Sequence, residues 1–291
     1  SDLRRQRQMC IRDRSFTNGA VYVSEYRVFR CSTFSGAGGG SYWPNRFVSG
    51  KVPRPINKHP LQRKSKAMEN PFSMEGRNVL VTGAAQGIGR EVASMIVRHG
   101  GRVAAIDMNG DGMKDLKDEL GDACMAYTGS VTEQDLTDQI VQDMVKEWGW
   151  VHGLFNNAGI VRAAMIHKME RETWDQVINV NLTGVYLTLQ AVGRQMIEQS
   201  KGDDAAVCNG QIVNVSSIAG TAGTIGQINY GAAKAGVLGI TMSAAKEWAR
   251  YGICVNSVAF GTVVTPMTEV VRGPKFAQQT LARIPLGRYG D

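Results

Sequence analysis

The chain has 291 residues, of which 43% are apolar and 20% charged. This composition is typical of a globular domain and excludes collagen, coiled coil and disorder over the full length. No run reaches the roughly 18 apolar residues that a membrane-spanning helix requires, so we expect a soluble protein with no membrane partner. The five cysteines form no CxxC pair and the four histidines share no ligand spacing. We therefore expect reduced thiols, a cytoplasmic location and no metal site.

The net charge of +7 is distributed unevenly along the chain. Residues 1–72 carry a net charge of +10, whereas residues 73–291 carry −3. The basic segment also holds a Gly/Ser stretch at 35–41 and five prolines, and it shows no helical or strand periodicity. Such a segment cannot bury enough apolar surface to offset the entropy of ordering it, so we expect little order there.

Three interpretations of residues 1–72 are open: a nucleic-acid-binding arm, an organelle transit peptide, or a segment without function. Residues 9–14, MCIRDR, resemble the in-frame translation of a transposase adaptor used in DNA sequencing. This favours read-through sequence with the true start at Met68 or Met74, and no nucleic-acid partner. The functional domain is then residues 73–291.

Beyond residue 72, short apolar strands alternate with helical stretches. In chain order, the predicted strands are at 78–82, 102–106, 125–128, 151–155, 211–216 and 254–258. The predicted helices between them are at 90–99, 133–148, 171–181, 182–199 and 230–250. This alternation indicates β-α-β units and a parallel sheet covered on both faces. The predicted fold is a doubly wound, Rossmann-type α/β/α domain.

A glycine-rich loop at 82–89 follows the first of these strands and opens the first helix. Its glycines, Gly83, Gly87 and Gly89, have the spacing G-x-x-x-G-x-G, with Gln86 and Ile88 between them. Glycines there let the backbone approach a pyrophosphate, and the helix start offers unpaired N–H groups. Glycine also serves simple helix packing, but the position after a strand favours a dinucleotide-binding loop.

Asp107 ends the second strand, 18 residues past Gly89. An acid at this position can accept hydrogen bonds from both hydroxyls of an adenosine ribose and would repel a 2′-phosphate. The strand-exit loop 107–111 contains no arginine. The alternative is an ordinary solvated loop acid. The favoured cofactor is therefore NAD(H), with NADP(H) second.

Tyr230 and Lys234 are four residues apart at the start of the predicted long helix, so both project from one face. A lysine beside a tyrosine stabilises the phenolate, and a lowering of the pKa by roughly three units would give a base usable near neutral pH. The Y-x-x-x-K pattern alone is common. Ser217 adds weight, because it ends the fifth strand at the sheet edge that binds ligands and could donate to a carbonyl oxygen.

Together these residues resemble the short-chain dehydrogenase/reductase family. The resemblance rests on the 82–89 loop, the motif Asn-Asn-Ala-Gly at 156–159, Asn181, Ser217, and Tyr230 with Lys234, and it covers about residues 75–291. The segments 212–220 and 226–234 are most similar to the 3-oxoacyl-carrier-protein reductase branch. The resemblance implies that the hydride passes directly between nicotinamide and the carbonyl carbon, so no metal is required.

The resemblance also implies a role for each residue. Tyr230 would exchange a proton with the substrate oxygen, Ser217 would hold that oxygen, and Lys234 would bind the nicotinamide ribose and lower the pKa of Tyr230. Asn181 would anchor a water that relays protons to Lys234; a helix-kink hydrogen bond is the alternative for Asn181. The remaining cofactor contacts implied are Gly83, Gln86, Gly87, Ile88, Gly89, Asp107, Val131, Asn157, Ala158, Gly159, Gly261, Thr262, Val264 and Thr265. A homotetramer formed through the long helices is expected.

The sequence departs from the family pattern in four places. Ser130 stands where an aspartate usually binds adenine, and Phe260 precedes Gly261 in place of proline. The carrier-protein reductases typically use NADPH and place a basic residue where this chain has Gln86. The resemblance also implies that family members continue for roughly forty residues beyond the end of this chain. We therefore expect a domain that is truncated before its last strand, with the sixth strand left as an open sheet edge.

The leading hypothesis is an NAD(H)-linked oxidoreductase that acts on a ketone or secondary alcohol, with a 3-oxoacyl or 3-hydroxyacyl substrate favoured. The alternatives are a sugar or polyol dehydrogenase and a catalytically silent NAD-binding sensor. Apolar residues in the segment expected over the substrate (Met267, Val270, Val271 and Phe276) argue mildly against a polyol. The complete set of Ser217, Tyr230 and Lys234 argues against the sensor. The expected partner is a small ketone, alcohol or acyl thioester.

Overall fold

A computed structural model describes residues 72–201 and 209–291, together with the backbone of the two-residue strand Val21–Tyr22. Contacts divide the chain into two units. Every described residue belongs to the first unit, and the second, Glu25–Pro71, lies outside the described part. Apart from Val21–Tyr22, the prediction of low order over residues 1–72 falls outside the described residues.

The described part folds into one sheet with helices on both faces. The strands are β1 (Val21–Tyr22), β2 (Asn78–Thr82), β3 (Arg102–Asp107), β4 (Cys124–Thr128), β5 (Gly153–Asn156), β6 (Gly210–Ser217) and β7 (Ile253–Phe260). The helices are α1 (Gly87–Arg98), α2 (Gly110–Leu120), α3 (Gln134–Trp148), α4 (Arg171–Ile178), α5 (Gly184–Gln199), α6 (Ile218–Ala222), α7 (Ile228–Trp248), α8 (Glu269–Arg272) and α9 (Ala277–Leu281). No described helix is long and apolar enough to cross a membrane.

The sheet has the strand order β1-β7-β6-β5-β2-β3-β4. Strands β2 to β7 are all parallel to one another, which confirms the predicted doubly wound α/β fold. The chain moves outward from β2 through β3 to β4, then crosses back to β5 and moves the other way. The order therefore reverses between β2 and β5, and such a reversal leaves a crevice at the carboxyl ends of the strands.

Alternate residues of the central strands face opposite sides of the sheet. Leu80 and Ala104 belong to one buried apolar cluster, and Val79 and Val81 belong to the other. This explains why the strands are apolar throughout, since neither face is exposed to water. Two packed cores hold the sheet rigid and fix the positions of the loops at its carboxyl edge.

Several sequence predictions differ from the structure, which also contains the short, unpredicted helices α6, α8 and α9. Helix α2 was not predicted, because Gly110 and Gly112 open it and only Met113 and Leu116 are buried. The helices predicted at 171–181 and 182–199 are joined by a π-helical segment, Asn179–Thr183. The outer edge of β7, which was expected to be open, is covered in part, because Val21–Tyr22 pairs antiparallel with Val258 and Ala259.

Candidate active site

A cleft opens at the carboxyl edge of the sheet, where β2 and β5 lie side by side. It is bordered by residues at or just after the ends of β2, β3, β4, β5, β6 and β7 and by the start of α7. The structure therefore brings together residues that are up to 185 positions apart in the chain. The sequence-predicted residues that line it are Gly83, Gln86, Gly87, Ile88, Asp107, Val131, Asn157, Ala158, Gly159, Ser217, Tyr230, Lys234, Gly261 and Thr265.

The glycine-rich loop forms one end of the cleft. Gly83 and Gly87 have positive φ angles of 67° and 58°, which favour glycine. Helix α1 begins at Gly87, its N-cap residue Gln86 makes no side-chain capping hydrogen bond, and its first turn contains no acid. The N–H groups of that turn thus lack a side-chain cap, and the turn itself contains no carboxylate that would neutralise the positive end of the helix dipole. The loop fits a pyrophosphate group.

Gly89 has a packing role and does not border the cleft. A Cβ atom added at Gly89 would lie 2.1 Å from the carbonyl oxygen of Gly83. Only glycine therefore lets α1 pack this closely on the loop. The structure assigns the third glycine to the shape of the loop, whereas the sequence analysis placed it among the cofactor contacts.

Thr82 and Asn157 join the ends of β2 and β5 beneath the cleft. The Thr82 hydroxyl oxygen accepts hydrogen bonds from the backbone N–H groups of Asn157 and Ala158, each at 2.9 Å. The Asn157 side-chain amide donates to the carbonyl oxygens of Thr82 and Gly83, each at 3.1 Å. These four bonds hold the glycine-rich loop at a fixed height above the sheet.

Asp107 borders the cleft, and both oxygens of its carboxylate are oriented by backbone. Oδ2 accepts from the N–H of Ala85 at 3.1 Å, and Oδ1 accepts from the N–H of Asn109 at 3.0 Å. Each oxygen keeps a further lone pair for a ligand hydroxyl. Arg90 lies in the first turn of α1 but is bonded to Glu119 at 2.7 Å, so its charge is neutralised within the protein. The cleft therefore presents a negative charge beside the glycine-rich loop.

Ser217 ends β6 and caps the short helix α6. Its Oγ accepts a hydrogen bond from the N–H of Ala219 at 3.1 Å. Because that bond uses a lone pair, the hydroxyl proton remains for donation, either to the Tyr230 oxygen or to a ligand in the cleft. Ser217 can therefore bind an acceptor such as a carbonyl oxygen.

Tyr230 and Lys234 lie in the first two turns of α7 and face the same cleft. The Lys234 side chain is almost fully buried, and its Nζ donates to the carbonyl oxygen of Val215 at 2.8 Å. Nζ lies 5.7 Å from the centroid of the Tyr230 ring. The structure thus brings Ser217, Tyr230 and Lys234 together as the sequence spacing predicts.

The pKa values of the two side chains move in opposite directions. Burial raises the pKa of Tyr230, and a side-chain hydrogen bond with Ser217 acts the other way. Burial lowers the pKa of Lys234 to about 8. Desolvation of the phenol is the largest effect on the pKa of Tyr230, so the net shift is upward and not the lowering expected from Lys234. The raised pKa keeps Tyr230 protonated near neutral pH, so that it can donate.

Asn181 is fully buried in the π-helical segment and does not border the cleft. Its Oδ1 accepts from the N–H of Ile160 at 2.7 Å, and its Nδ2 donates to the Ile160 carbonyl oxygen at 2.8 Å. The side chain therefore anchors the segment after β5. This contact differs from the helix-kink hydrogen bond expected as the alternative, and the water relay stays a prediction.

Thr262 and Val264 also lie outside the lining of the cleft. The Thr262 carbonyl oxygen accepts from the N–H of Gly290 at 3.0 Å, and the N–H of Val264 donates to the Gly290 carbonyl at 2.8 Å. Both residues pair with the end of the chain. Their neighbour Thr265 lies across the cleft, where its Cγ2 is 3.3 Å from a Cβ position built on Gly87.

Several lining residues were not predicted as site residues. Each lies within three positions of a predicted residue in the chain, which is the signal that could have found them. They are Ile106, Met108, Gly129, Ser130, Ile160, Val180, Val215, Ser216, Phe260, Val263, Pro266, Met267 and Thr268.

The comparisons with known proteins agree with this geometry. Residues 77–275 match the family model described as short chain dehydrogenase. The 3-oxoacyl-[acyl-carrier-protein] reductase FabG of Thermotoga maritima is 43% identical over 221 residues, which are 75% of this chain and 86% of that protein. The reductase of the same name from Vibrio cholerae is 37% identical over 220 residues, covering 76% and 86%.

Solved structures show the same relationship. A short-chain type dehydrogenase/reductase from Mycobacterium marinum superposes with a TM-score of 0.69 at 31% identity, covering 75% of this chain and 85% of that one. Levodione reductase superposes with a TM-score of 0.67 at 30% identity, covering 74% and 86%. The similarity extends over nearly all of the described residues.

Proposed function

Because the chain belongs to the short-chain dehydrogenase family, it is an NAD(P)-dependent oxidoreductase, and we propose that it transfers a hydride between NAD(H) and a 3-oxoacyl or 3-hydroxyacyl compound. One observation carries the proposal: Ser217, Tyr230 and Lys234 border the same cleft as the glycine-rich loop. The bound nicotinamide supplies or accepts the hydride. The protein side chains bind the substrate oxygen and move its proton.

In the direction of ketone reduction, Ser217 donates a hydrogen bond to the carbonyl oxygen with the proton that its contact to Ala219 leaves free. Tyr230 donates its phenolic proton to the same oxygen as negative charge develops there. The raised pKa of Tyr230 keeps that proton in place near neutral pH. In alcohol oxidation the same group accepts the proton.

Lys234 acts next to Tyr230. Its ammonium group lies 5.7 Å from the centre of the phenol ring, and a positive charge at that distance stabilises the phenolate formed during reduction. We propose that it also donates to the nicotinamide ribose, since the ammonium keeps two donors beyond its bond to Val215. Asn181 supports the adjacent wall through Ile160.

The substrate class rests on the apolar rim and on the relatives. Met267 lines the cleft and is 50% exposed, and two further exposed apolar residues lie close in the chain to the catalytic ones: Ile218 (46% exposed) follows Ser217, and Ile225 (75% exposed) comes five residues before Tyr230. A backbone hydrogen bond of 2.9 Å from Ala164 to Gly226 holds two of the surrounding loops together. Exposed apolar side chains at the mouth suit an acyl chain better than a polyol. The FabG relatives carry the name of 3-oxoacyl-[acyl-carrier-protein] reductases.

The preference for NAD(H) over NADP(H) rests on Asp107. Its oriented carboxylate can accept both ribose hydroxyls, and it would repel a 2′-phosphate. Arg90 cannot offset that repulsion while it is bonded to Glu119. We infer that NADH is the better cofactor.

The test is reduction of acetoacetyl-CoA, a soluble 3-oxoacyl thioester, followed by loss of NADH absorbance. We expect turnover by the unmodified chain and a loss of about 100-fold or more in kcat for Tyr230→Phe, as typical for removal of a general acid. Tyr127→Phe is the matched control, because Tyr127 is a half-buried tyrosine on β4 outside the cleft whose pKa burial also raises. Full activity of Tyr230→Phe would contradict the proposed role, and turnover of polyols alone would contradict the substrate class.

A further inference from the structure

Asn229 precedes Tyr230 in the chain, and its side chain is fully buried. Its Nδ2 donates to the carbonyl oxygen of Arg162 at 3.1 Å and to that of Thr173 at 3.2 Å. Its Oδ1 accepts from the backbone N–H of Tyr230 at 2.8 Å. One carboxamide thus joins the segment after β5, helix α4 and the start of α7.

The bond to Tyr230 fixes the start of the catalytic helix. Helix α7 begins at Ile228, and its N-cap residue Gln227 makes no side-chain capping bond. The first intrahelical bond runs from Gly231 to Gln227, so the N–H of Tyr230 lies among the donors that a helix leaves unpaired. Asn229 pairs that donor and thereby holds the backbone from which the phenol projects.

The bond to Arg162 fixes the opposite wall of the cleft. This wall follows Gly159 and Ile160, which border the cleft. Asn181 holds it at Ile160, and Gly226 holds it at Ala164. Asn229 adds the connection between these two anchor points and ties the wall directly to the residue that carries Tyr230.

We propose that Asn229 is a positioning residue: it sets the distance between the Tyr230 hydroxyl and the wall of the cleft against which the reacting groups lie. The proposal rests on the proposed role of Tyr230 as proton donor. It predicts that loss of the Asn229 carboxamide slows the chemical step and leaves cofactor binding unchanged. A misplacement of about 1 Å can cost roughly 100-fold in rate.

The chain offers a matched control at the opposite end of the sheet. Asn78 is also buried, and its Nδ2 donates to the carbonyl oxygens of Trp150 at 2.8 Å and Trp148 at 3.4 Å. Its Oδ1 accepts from Arg102 at 2.9 Å. Asn78→Ala therefore removes the same kind of buried, three-partner carboxamide at the amino end of β2, far from the cleft.

The experiment compares Asn229→Ala, Asn229→Asp and Asn78→Ala with the unmodified chain, each confirmed as folded by its thermal transition. We expect Asn229→Ala to lower kcat for acetoacetyl-CoA reduction roughly 10- to 100-fold and to raise the deuterium isotope effect with 4-deuterated NADH. The dissociation constant for NADH should stay within about twofold, and Asn78→Ala should keep kcat within about twofold. Hydrogen exchange at the Tyr230 amide should accelerate in Asn229→Ala.

If Asn229→Ala fails to fold, Asn229→Asp provides a second test. It keeps the shape of the side chain and replaces the NH₂ group, which donates to Arg162 and Thr173, by an oxygen. A carboxylate facing two carbonyl oxygens is repelled, whereas its protonated form can donate to one of them. The ratio of its kcat to that of the unmodified chain should therefore rise as the pH falls from 8 to 6.

Three outcomes would overturn the proposal. They are an unchanged kcat in both Asn229 variants, a loss equal to that of Asn78→Ala, and a weakened NADH affinity with no change in the isotope effect. Tyr230→Phe separates this from a failure of the proposed function. If Tyr230→Phe is fully active, the assigned proton donor is wrong; if it is inactive while the Asn229 variants are unaffected, only the positioning role is wrong.

Discussion

The charge of Asp107 should decide between the two nicotinamide cofactors, and Asp107→Asn removes that charge while keeping the side-chain shape. Both carboxylate oxygens accept hydrogen bonds from backbone N–H groups, those of Ala85 and Asn109. In Asp107→Asn, the new side-chain NH₂ group therefore faces one of these N–H groups, and two donors meet. Exchange of a charged acceptor for a neutral one weakens the binding free energy of NADH by about 1 kcal/mol per ribose hydroxyl, and so by about 2 kcal/mol for the two hydroxyls. NADH binding should weaken roughly 30-fold.

NADPH binding should change in the opposite direction. Coulomb's law with an effective dielectric of about 20 gives roughly 3 kcal/mol between the carboxylate and one unit of phosphate charge at about 5 Å. Screening at this partly exposed residue reduces the repulsion to about 1–2 kcal/mol, so relief of it improves NADPH binding roughly tenfold. The dissociation constant for NADPH divided by that for NADH should therefore fall by about 300-fold in Asp107→Asn.

The assay is titration of the protein with NADH and with NADPH, followed by nicotinamide fluorescence at low and high salt. Asp111→Asn is the matched control, because Asp111 is an exposed acid in the first turn of α2 that does not line the cleft. The preference of the unmodified chain for NADH should fall as salt screens the phosphate repulsion. Tighter binding of NADPH to the unmodified chain, or an equal shift in both variants, would refute the argument.

Three further predictions follow from the geometry. Gly89→Ala places a methyl group 2.1 Å from the Gly83 carbonyl and should abolish NADH binding measured by fluorescence or unfold the domain, whereas Gly239→Ala, with open space around it, should do neither. Since burial holds the pKa of Tyr230 above its ordinary value, kcat/KM for alcohol oxidation should still rise with pH above neutrality, and a pH–rate profile that is flat from 7 to 9 would contradict this. Burial, aided by two nearby arginines, lowers the pKa of His152, so the folded state resists its protonation. Stability to urea should therefore fall as the pH drops below the unfolded pKa of about 6.5, with a smaller fall in His152→Gln.

The fold was predictable because its signals are local. Each central strand is a short apolar run, and the turn after β2 carries glycines that a phosphate-binding loop requires. Helix α2 was missed because its sequence, from Gly110 to Leu120, has two early glycines and many charges, and only Met113 and Leu116 are buried. Its stability comes from packing on the sheet and from the Asn109 cap, which accepts from Gly112 at 3.1 Å. Tertiary contact outweighs intrinsic helix propensity there.

The placement of a candidate residue at the cleft was predictable where it follows from the residue's own position at a strand end or helix turn. Ser217 and the pair Tyr230 and Lys234 belong to this group. The roles of Asn181 and Asn229 depend on which carbonyl groups face them, and those lie 21 and 67 residues away in Ile160 and Arg162. No local pattern encodes such pairings, since an asparagine in a helix is equally compatible with a solvated side chain.

The same distinction bears on the electrostatics of Tyr230. Sequence spacing places Lys234 beside it and so predicts a lowered pKa, but spacing carries no information about burial. In the structure burial raises the pKa of the phenol and lowers that of the lysine, and the lysine bonds to Val215. A protonated tyrosine next to a lysine that stabilises the phenolate is well arranged for proton donation to a ketone. We therefore expect reduction to proceed near neutral pH and oxidation to require a higher pH.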